Sequence, residues 1–351
     1  MPTSALYAVC ILIWGTTWFA ITAQIDVLAP ALGVALRFGL AAAVLFAFCA
    51  WRRLPLRFPA RVQALVIAQG LTGFYASYVC VYEAERHVAS GVVAVGYAAS
   101  PLFGLVLARA FLGTRMSRRV ALGGLAGVAG VVLIFWHEFA RLTASGQVLW
   151  GAVLTMVSVL LASLSTIATA AYQRLGVRGW APLAWAMAWG AGAAALHALA
   201  TGTPWSWSWR PGFLGALAWL ALAGSIGAFG AYYALVHRVG AAKAGYVGVL
   251  TPLVALAVSS ALENFLWTGL TLAGIGLAIL GNVVALWPQA TAAAPASQPT
   301  PVPPATPALP ATLALPATPA LPAPSALPTT PALPATPALP ATPAPERSSC
   351  A

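Results

Sequence analysis

The chain has 351 residues, of which 61% are hydrophobic and only 7% are charged, and its mean hydropathy is +0.87. This composition leaves too little polar surface for a water-soluble globule of this size, so it predicts an integral membrane protein in contact with the lipid bilayer. The net charge of +11 does not indicate nucleic-acid binding, because the arginines lie in short loops between apolar segments, as they do in membrane proteins.

Apolar segments of membrane-spanning length follow one another along the chain. The first runs from Ser4 to Ala23, and because no Lys or Arg precedes it, we interpret it as a retained helix and not a cleaved signal. With the nine segments that follow, the sequence predicts an all-α membrane protein with ten transmembrane helices. Those nine lie at about 30–51, 62–82, 88–112, 120–136, 148–172, 181–200, 213–236, 241–261 and 266–287.

Basic residues are distributed unequally between alternate loops. If the N-terminus is cytoplasmic, the inner loops and helix ends carry twelve Lys and Arg residues, whereas the outer loops carry three, namely Arg86, Arg141 and Arg210. Because Lys and Arg are enriched in cytoplasmic loops, this imbalance predicts a multi-pass protein with both termini in the cytoplasm.

A repeated pattern divides the membrane region into two halves, which we assign to residues 1–138 and 139–288. It is best explained by duplication, with five helices in each half. Because five is odd, the second half enters the membrane in the opposite sense to the first, and inverted repeats of this kind are a recurring architecture of transporters. The matching positions pair Gly70, Gly73, Tyr78 and Pro101 with Gly224, Gly227, Tyr232 and Pro252.

Several short motifs carry a family resemblance. They are Trp14-Gly15, Arg37-Phe38, Ser100-Pro101, the glycine-rich run 123–130, and Thr251-Pro252 followed by Glu263. In this order they resemble the EamA-type drug/metabolite transporter superfamily over about residues 4–287, as two EamA-like halves. The resemblance implies a ten-helix carrier of the bacterial inner (plasma) membrane, which commonly exports or exchanges amino acids, other metabolites or amphipathic compounds. The chain departs from the family at Gly113-Thr114, where Gly-Glu is common.

Arg37 is the first candidate for substrate binding. It lies about 10 Å along the second predicted helix, which is deep for a charge without a function. Its guanidinium could bind a substrate carboxylate or phosphate through two parallel hydrogen bonds, or it could bind backbone carbonyls at a broken helix. Because Arg-Phe is part of the general pattern of carriers with varied substrates, the structural or gating role is favoured, and both roles remain open.

Aromatic residues with polar atoms form the second group of candidates. Rings with a hydroxyl suit a pocket that holds an organic solute by stacking, hydrogen bonds or cation–π attraction, although packing and interfacial anchoring are the alternatives. Pro101 and Pro252 fall in the middle of apolar segments and are predicted to kink or gate the helices, or simply to shape their packing. The predicted substrate-binding residues are Trp14, Thr17, Arg37, Tyr78, Tyr97, Tyr232, Tyr233 and Tyr246.

Glycines of the fifth and tenth segments, among them Gly123, Gly127 and Gly130, are predicted to bring helices close together, either within the chain or across a homodimer. Every acid outside the C-terminal region lies toward the outer end of a helix, so proton transfer through a carboxylate at the midplane is not predicted. Glu83 and Glu263 are the nearest substitutes.

The sequence has no Walker-type loop and no HExxH motif, and its four cysteines have no metal-ligand spacing. We predict no cofactor and no catalytic or metal site. The function predicted is a secondary-active or facilitative carrier of small organic metabolites, working by alternating access and acting as an exporter. The alternatives are a membrane-embedded enzyme and a partner-binding membrane protein.

The composition changes abruptly near Gln289. Residues 289–351 are dominated by Pro, Ala, Thr and Leu, with the repeat PALPAT. Because frequent prolines are incompatible with helix and sheet, this region is predicted to be an extended or disordered cytoplasmic tail.

Overall fold

The structure is a computed structural model that describes residues 1–113, 118–141, 146–244, 246–263, 265 and 267–286. The regular elements of these residues are all helical, as expected for a membrane protein. The predicted proline-rich tail lies outside the described residues. In chain order the helices are α1 (Thr3–Ile25), α2 (Pro30–Trp51), α3 (Ala60–Ala84), α4 (Ser90–Leu112), α5 (Arg118–Arg141), α6 (Gly146–Arg174), α7 (Trp180–Ala200), α8 (residues 211–244), α9 (Tyr246–Leu262) and α10 (Gly269–Leu286).

Seven helices of the described residues are long and apolar enough to cross a membrane. They are α1, α2, α3, α4, α6, α7 and the part of α8 from Pro211 to Leu235. The apolar parts of α9 and α10, Val247–Leu262 and Gly269–Ala285, are shorter. At a rise of about 1.5 Å per residue, the 22 residues of α2 cover the hydrocarbon core of a bilayer. The chain is thus a multi-pass all-α membrane protein.

The sequence predicts a loop at residues 237–240, between the eighth and ninth segments, and this prediction is wrong. These residues are helical, and α8 continues to Ala244. The reason is local, since the stretch Gly-Ala-Ala-Lys-Ala at 240–244 consists mostly of residues that favour helix, and its one charge does not break the backbone pattern.

Three helices depart from regular α geometry near the middle of the bundle. The π-helical segments Gly70–Ala76 and Trp219–Gly227 lie in α3 and α8. A 3₁₀ turn, Tyr97–Ala99, divides α4 just before Pro101. The tightened turn accommodates a residue that has no amide hydrogen to donate. In α9, Pro252 lies inside the helix. Such segments often accompany functional sites because they free backbone groups and rotate side chains.

Glycines bring α5 and α10 into close contact. A side-chain carbon added at Gly274 would lie 2.7 Å from the carbonyl oxygen of Gly130, and one added at Gly123 would collide with the carbonyl oxygen of Gly281. A side-chain carbon added at Gly127 would lie 2.6 Å from the carbonyl oxygen of Ala98 in α4. Small residues at such crossings allow the dispersion contacts that stabilise helix pairs in a membrane. The predicted glycine face is therefore occupied within the chain.

The rest of the bundle interleaves the two predicted halves. Helix α2 packs along α7, α1 packs on α8 and α9, and α6 packs on α3 and α4. Phe38 of α2 is fully buried and meets the ring of Phe74 of α3 edge to face, with 5.1 Å between the ring centroids. These contacts surround a cavity.

Candidate substrate cavity

A cavity of about 410 Å³ lies inside the helical bundle, and residues of seven helices, α1, α2, α3, α4, α6, α8 and α9, line it. This volume is in the range of pockets that bind small organic molecules. Much of the wall is aromatic, which is also typical of such pockets. The aromatic residues of the wall are Trp14, Trp18, Phe74, Tyr78, Tyr97, Phe229, Tyr232 and Tyr233.

The structure places most of the predicted substrate-binding residues around this one cavity. Pro101 does not line it and instead begins the helical segment that follows the 3₁₀ turn of α4. The side chain of Tyr246 lies outside the described part of the chain. Whether the others bind substrate stays a prediction. The predicted residues at the cavity are Trp14, Thr17, Arg37, Tyr78, Tyr97, Tyr232, Tyr233 and the kink residue Pro252.

Polar residues of α3, α6 and α9 also line the cavity and were not predicted. Their hydroxyls are mostly bonded to backbone, since Ser77 Oγ donates to the carbonyl of Ser158 at 2.9 Å and Thr169 Oγ1 to that of Ser165 at 2.9 Å. The helical spacing of the Ser and Thr residues in α6 was a signal that could have found them, since it places polar groups along one face. The unpredicted polar residues are Gln69, Ser77, Ser165, Thr166, Thr169 and Thr251.

Trp14 joins α1 to α8 at the cavity wall. Its indole Nε1 donates a hydrogen bond to the carbonyl oxygen of Gly224 at 3.1 Å. Its ring lies against those of Phe229 and Tyr232, with centroids 5.3 and 5.4 Å apart. One turn further along the same face of α1, the rings of Trp18 and Tyr97 are 5.1 Å apart and connect α1 to α4. Aromatic contacts therefore connect α8, α1 and α4 along the cavity wall.

Arg37 is the charged residue of the described cavity wall, and only 1% of it is exposed. Its Nε donates to Ser225 Oγ at 3.3 Å, and Ser225 Oγ in turn donates to the carbonyl of Leu220 at 2.8 Å. Its Cζ lies 4.7 Å from the ring centroid of Tyr78 and 5.0 Å from that of Phe38. Nη1 is buried and has no hydrogen-bond partner among the described residues. One nitrogen donor of this buried cation, Nη1, is thus without an acceptor among the described residues.

The lack of a side chain at Gly224 of α8 makes room for Thr17 of α1, next to this guanidinium. A side-chain carbon added at Gly224 would lie 2.7 Å from Thr17 Cγ2 and 3.5 Å from Arg37 Nη2. The neighbouring Ser225 belongs to the π-helical part of α8, and its bond to Leu220 spans five residues. The widened turn therefore presents a hydroxyl oxygen toward Arg37.

A group of polar residues joins the first turn of α4 to the end of α9. It consists of Ser90, Ser259 and Glu263, and we call it the serine–glutamate cluster. Ser90 Oγ donates to Glu263 Oε2 at 2.7 Å, and Ser90 N approaches Oε1 at 3.4 Å. Ser259 Oγ accepts from the amide of Gly91 at 3.1 Å and also donates to Glu263. A carboxylate at a helix N-terminus is stabilised by the unpaired amides there. The cluster is therefore a hydrogen-bonded connection between α4 and α9.

Glu85, the first residue after α3, was not singled out from the sequence. It is 8% exposed, and both of its carboxyl oxygens are buried without a hydrogen bond in the described part of the protein. Burial raises the pKa of Glu85 well above its usual range, the negative charge of Glu263 raises it further, and Arg37 lowers it. Glu83, the predicted substitute, instead pairs with the exposed Arg86 at 3.1 Å. The rotation of α3 about its axis therefore determines that Glu85, and not Glu83, is buried in the bundle.

Comparison with known proteins gives a consistent set of relatives. The profile of the EamA-like transporter family matches residues 2–136. The chain is 30% identical over 284 residues to the uncharacterized inner membrane transporter YedA of Escherichia coli (strain K12), covering 80% of this chain and 87% of that protein. It is 25% identical over 285 residues to an uncharacterized transporter of Archaeoglobus fulgidus, covering 78% and 95%. A solved crystal structure with 19% sequence identity shares the fold, with a TM-score of 0.60 over 81% of this chain and 96% of the other.

Proposed function

This chain belongs to the EamA-like transporter family, and from that premise we propose that it is a secondary-active or facilitative carrier of a small organic metabolite. The observation that carries the proposal is the cavity of about 410 Å³, whose wall is built from helices of both halves. A carrier that works by alternating access needs such a site between two moving parts. Membership of a transporter family also favours transport over the rival function of a membrane-embedded enzyme.

The packing of the helices supports two inverted five-helix repeats, residues 1–138 and 139–288. Six of the seven helices at the cavity form the pairs that such repeats would relate, α1 with α6, α3 with α8 and α4 with α9. The remaining equivalent helices pack on each other, α2 on α7 and α5 on α10. Both α3 and α8 contain a π-helical segment. In this architecture the two repeats would rock around the cavity and open it to each side in turn.

We propose that both termini face the cytoplasm and that net transport is outward. The excess of Lys and Arg in alternate loops supports the orientation, and the relative YedA is named as an inner membrane transporter. The orientation can be tested with reporter domains that are active on only one side of the membrane. One reporter is fused to the N-terminus and another after Gln289. Activity of an external reporter at either terminus would contradict it.

Counterflow tests the carrier itself. Full-length protein in liposomes, loaded in turn with unlabelled amino acids, organic acids, amines and sugars, should accumulate the labelled form of its substrate transiently and saturably. Ala162 lines the cavity on α6, so Ala162→Trp should fill part of the space and abolish counterflow. Leu160→Trp, on an exposed part of the same helix, is the matched control and should retain it. Equal counterflow in both variants would contradict transport through this cavity.

A further inference from the structure

On the premise that the cavity is the transport site, we propose that it selects a small monoanion, a carboxylate carried on an aromatic or bulky apolar body, and that Arg37 binds the carboxylate. The proposal names a substrate class for the carrier. It follows from the charges at the cavity, from an open donor and an open acceptor in its wall, and from its aromatic surface.

The charges at the cavity are of one sign. Among the described residues of its wall, Arg37 carries a positive charge and no Asp or Glu is present. In an environment that is largely removed from water, two charges of the same sign repel each other strongly. An organic cation in the cavity would meet the guanidinium without a carboxylate to balance it, whereas a monoanion would neutralise the site. A phosphate monoester with two charges would leave one negative charge in excess.

The environment of Arg37 leaves its charge without an anionic partner. Ser225 and the hydroxyl of Tyr82 are neutral neighbours that can accept from the guanidinium, and the rings of Tyr78 and Phe38 contact it through their faces. No carboxylate of the described residues forms an ion pair with Arg37. Because a buried cation without an anion is unfavourable, and because Nη1 remains open, the site is suited to an added carboxylate.

A second buried atom without a hydrogen-bond partner indicates a further polar group on the substrate. Gln69 of α3 lines the same cavity and is 5% exposed; its side chain lies within hydrogen-bonding reach of Tyr172, but its Oε1 has no hydrogen-bond partner among the described residues. A carbonyl oxygen accepts and does not donate. A hydroxyl group on the substrate would satisfy it and keep the substrate a monoanion, while the aromatic wall contacts the apolar body.

Glu85 is the rival partner for the guanidinium, because the positive charge of Arg37 lowers the pKa of Glu85. Its two oxygens have no hydrogen bond to Arg37 or to any other described group, so the pair is not formed in this structure. If Arg37 served only to balance Glu85, then Glu85→Gln would remove the need for the cation. The two explanations therefore predict different behaviour for this variant.

The test uses a matched series with one aromatic body, namely 3-phenylpropionate, 3-phenylpropanamide, phenethylamine and the zwitterion phenylalanine. Binding to the purified full-length protein is measured by intrinsic tryptophan fluorescence, and counterflow is measured in liposomes. The monoanion 3-phenylpropionate should bind about tenfold or more tightly than the amide, as expected for a charge-assisted bond, and the amine should bind most weakly. Equal or tighter binding of the amine or the amide would overturn the proposal without any variant.

Variants assign the preference to Arg37. Arg37→Gln should remove the preference for carboxylate over amide, Arg37→Lys should restore part of it, and Glu85→Gln should retain it in full. A preference that survives in folded Arg37→Gln, or that is lost in Glu85→Gln, would overturn the role of Arg37. Counterflow of other solutes but of no carboxylate would refute the substrate class and leave the carrier. Selective carboxylate binding without counterflow of any solute would support the anion site and refute the proposed function.

Discussion

The central cavity and the serine–glutamate cluster are both polar regions inside the helical bundle, but they differ in how their polar atoms are paired. In the cluster, the two serines, the carboxylate and the first amides of α4 form hydrogen bonds with one another. At the cavity, Arg37 Nη1 and Gln69 Oε1 are buried without partners. Buried polar groups are normally paired, because an unpaired one loses its bonds to water without compensation.

This difference separates groups that hold the fold from groups that are available to a ligand. Mutations in the cluster should therefore reduce stability, whereas mutations of the open groups at the cavity should reduce transport and leave stability nearly unchanged. Glu85 is coupled electrostatically to both regions, since Glu263 of the cluster raises its pKa and Arg37 of the cavity lowers it.

The largest effect on stability is expected for Glu263→Ala. The variant leaves Ser90, which is buried, and Ser259, which is buried too, without their shared acceptor, so the free energy of unfolding should fall by about 3 kcal/mol. Thermal unfolding in detergent, followed by tryptophan fluorescence, measures it. Asp26→Ala removes an exposed acid after α1 and is the control. A loss no larger than that of the control would show that the cluster does not hold α4 to α9.

A smaller effect that depends on pH is expected at Glu85. Its pKa is raised above the reference value of 4.5, so the folded protein holds a proton on Glu85 at pH values where the unfolded chain has released it. The free energy of unfolding therefore falls as the pH rises from about 4.5 through the raised pKa. Glu85→Gln should flatten this dependence and should be more stable than the wild type at the upper end of the range.

Thermal unfolding from pH 4 to pH 9 measures the dependence on Glu85. Asp26→Asn is the control, because Asp26 is an exposed acid that lies just after α1. This variant should keep the slope of the wild type. Equal slopes for the wild type and Glu85→Gln would show that Glu85 is not held protonated by the fold.

Gln69→Met should have a still smaller effect on stability and a clear effect on transport. It removes the unpaired Oε1 while keeping the length of the side chain, so the free energy of unfolding should change by less than about 1 kcal/mol. Counterflow of a substrate that carries a donor should fall severalfold. Gln63→Met on the same helix, outside the cavity wall, should leave both unchanged. Marked destabilisation by Gln69→Met would remove the contrast between cavity and cluster.

The smallest effect is expected for Tyr78→Phe. The guanidinium of Arg37 contacts the ring of Tyr78, and phenylalanine keeps that ring, so stability and counterflow should stay close to the wild type. Tyr78→Ala removes the ring and should lower both. If Tyr78→Phe were as impaired as Tyr78→Ala, then the hydroxyl and not the ring would be the important group.

The sequence predicted much of the cavity because its signals are local. A charge seven residues into an apolar segment, as at Arg37, has to face the interior of the bundle, and aromatic residues with polar atoms favour similar positions. The same reasoning did not find Gln69 or the hydroxyls of α6, because small polar residues in a membrane helix can equally well bond to their own backbone. It also passed over Glu85, since only the rotation of α3 distinguishes it from Glu83.

By itself, the sequence determined the class of the protein and its apolar segments, because a bilayer demands long apolar helices whatever their neighbours. Only the tertiary structure decided which donor of Arg37 remains open and which acid is buried. Only it showed that Glu263 bonds to Ser90 across 173 residues of sequence. These features depend on how distant helices cross and rotate, which short-range spacing does not specify.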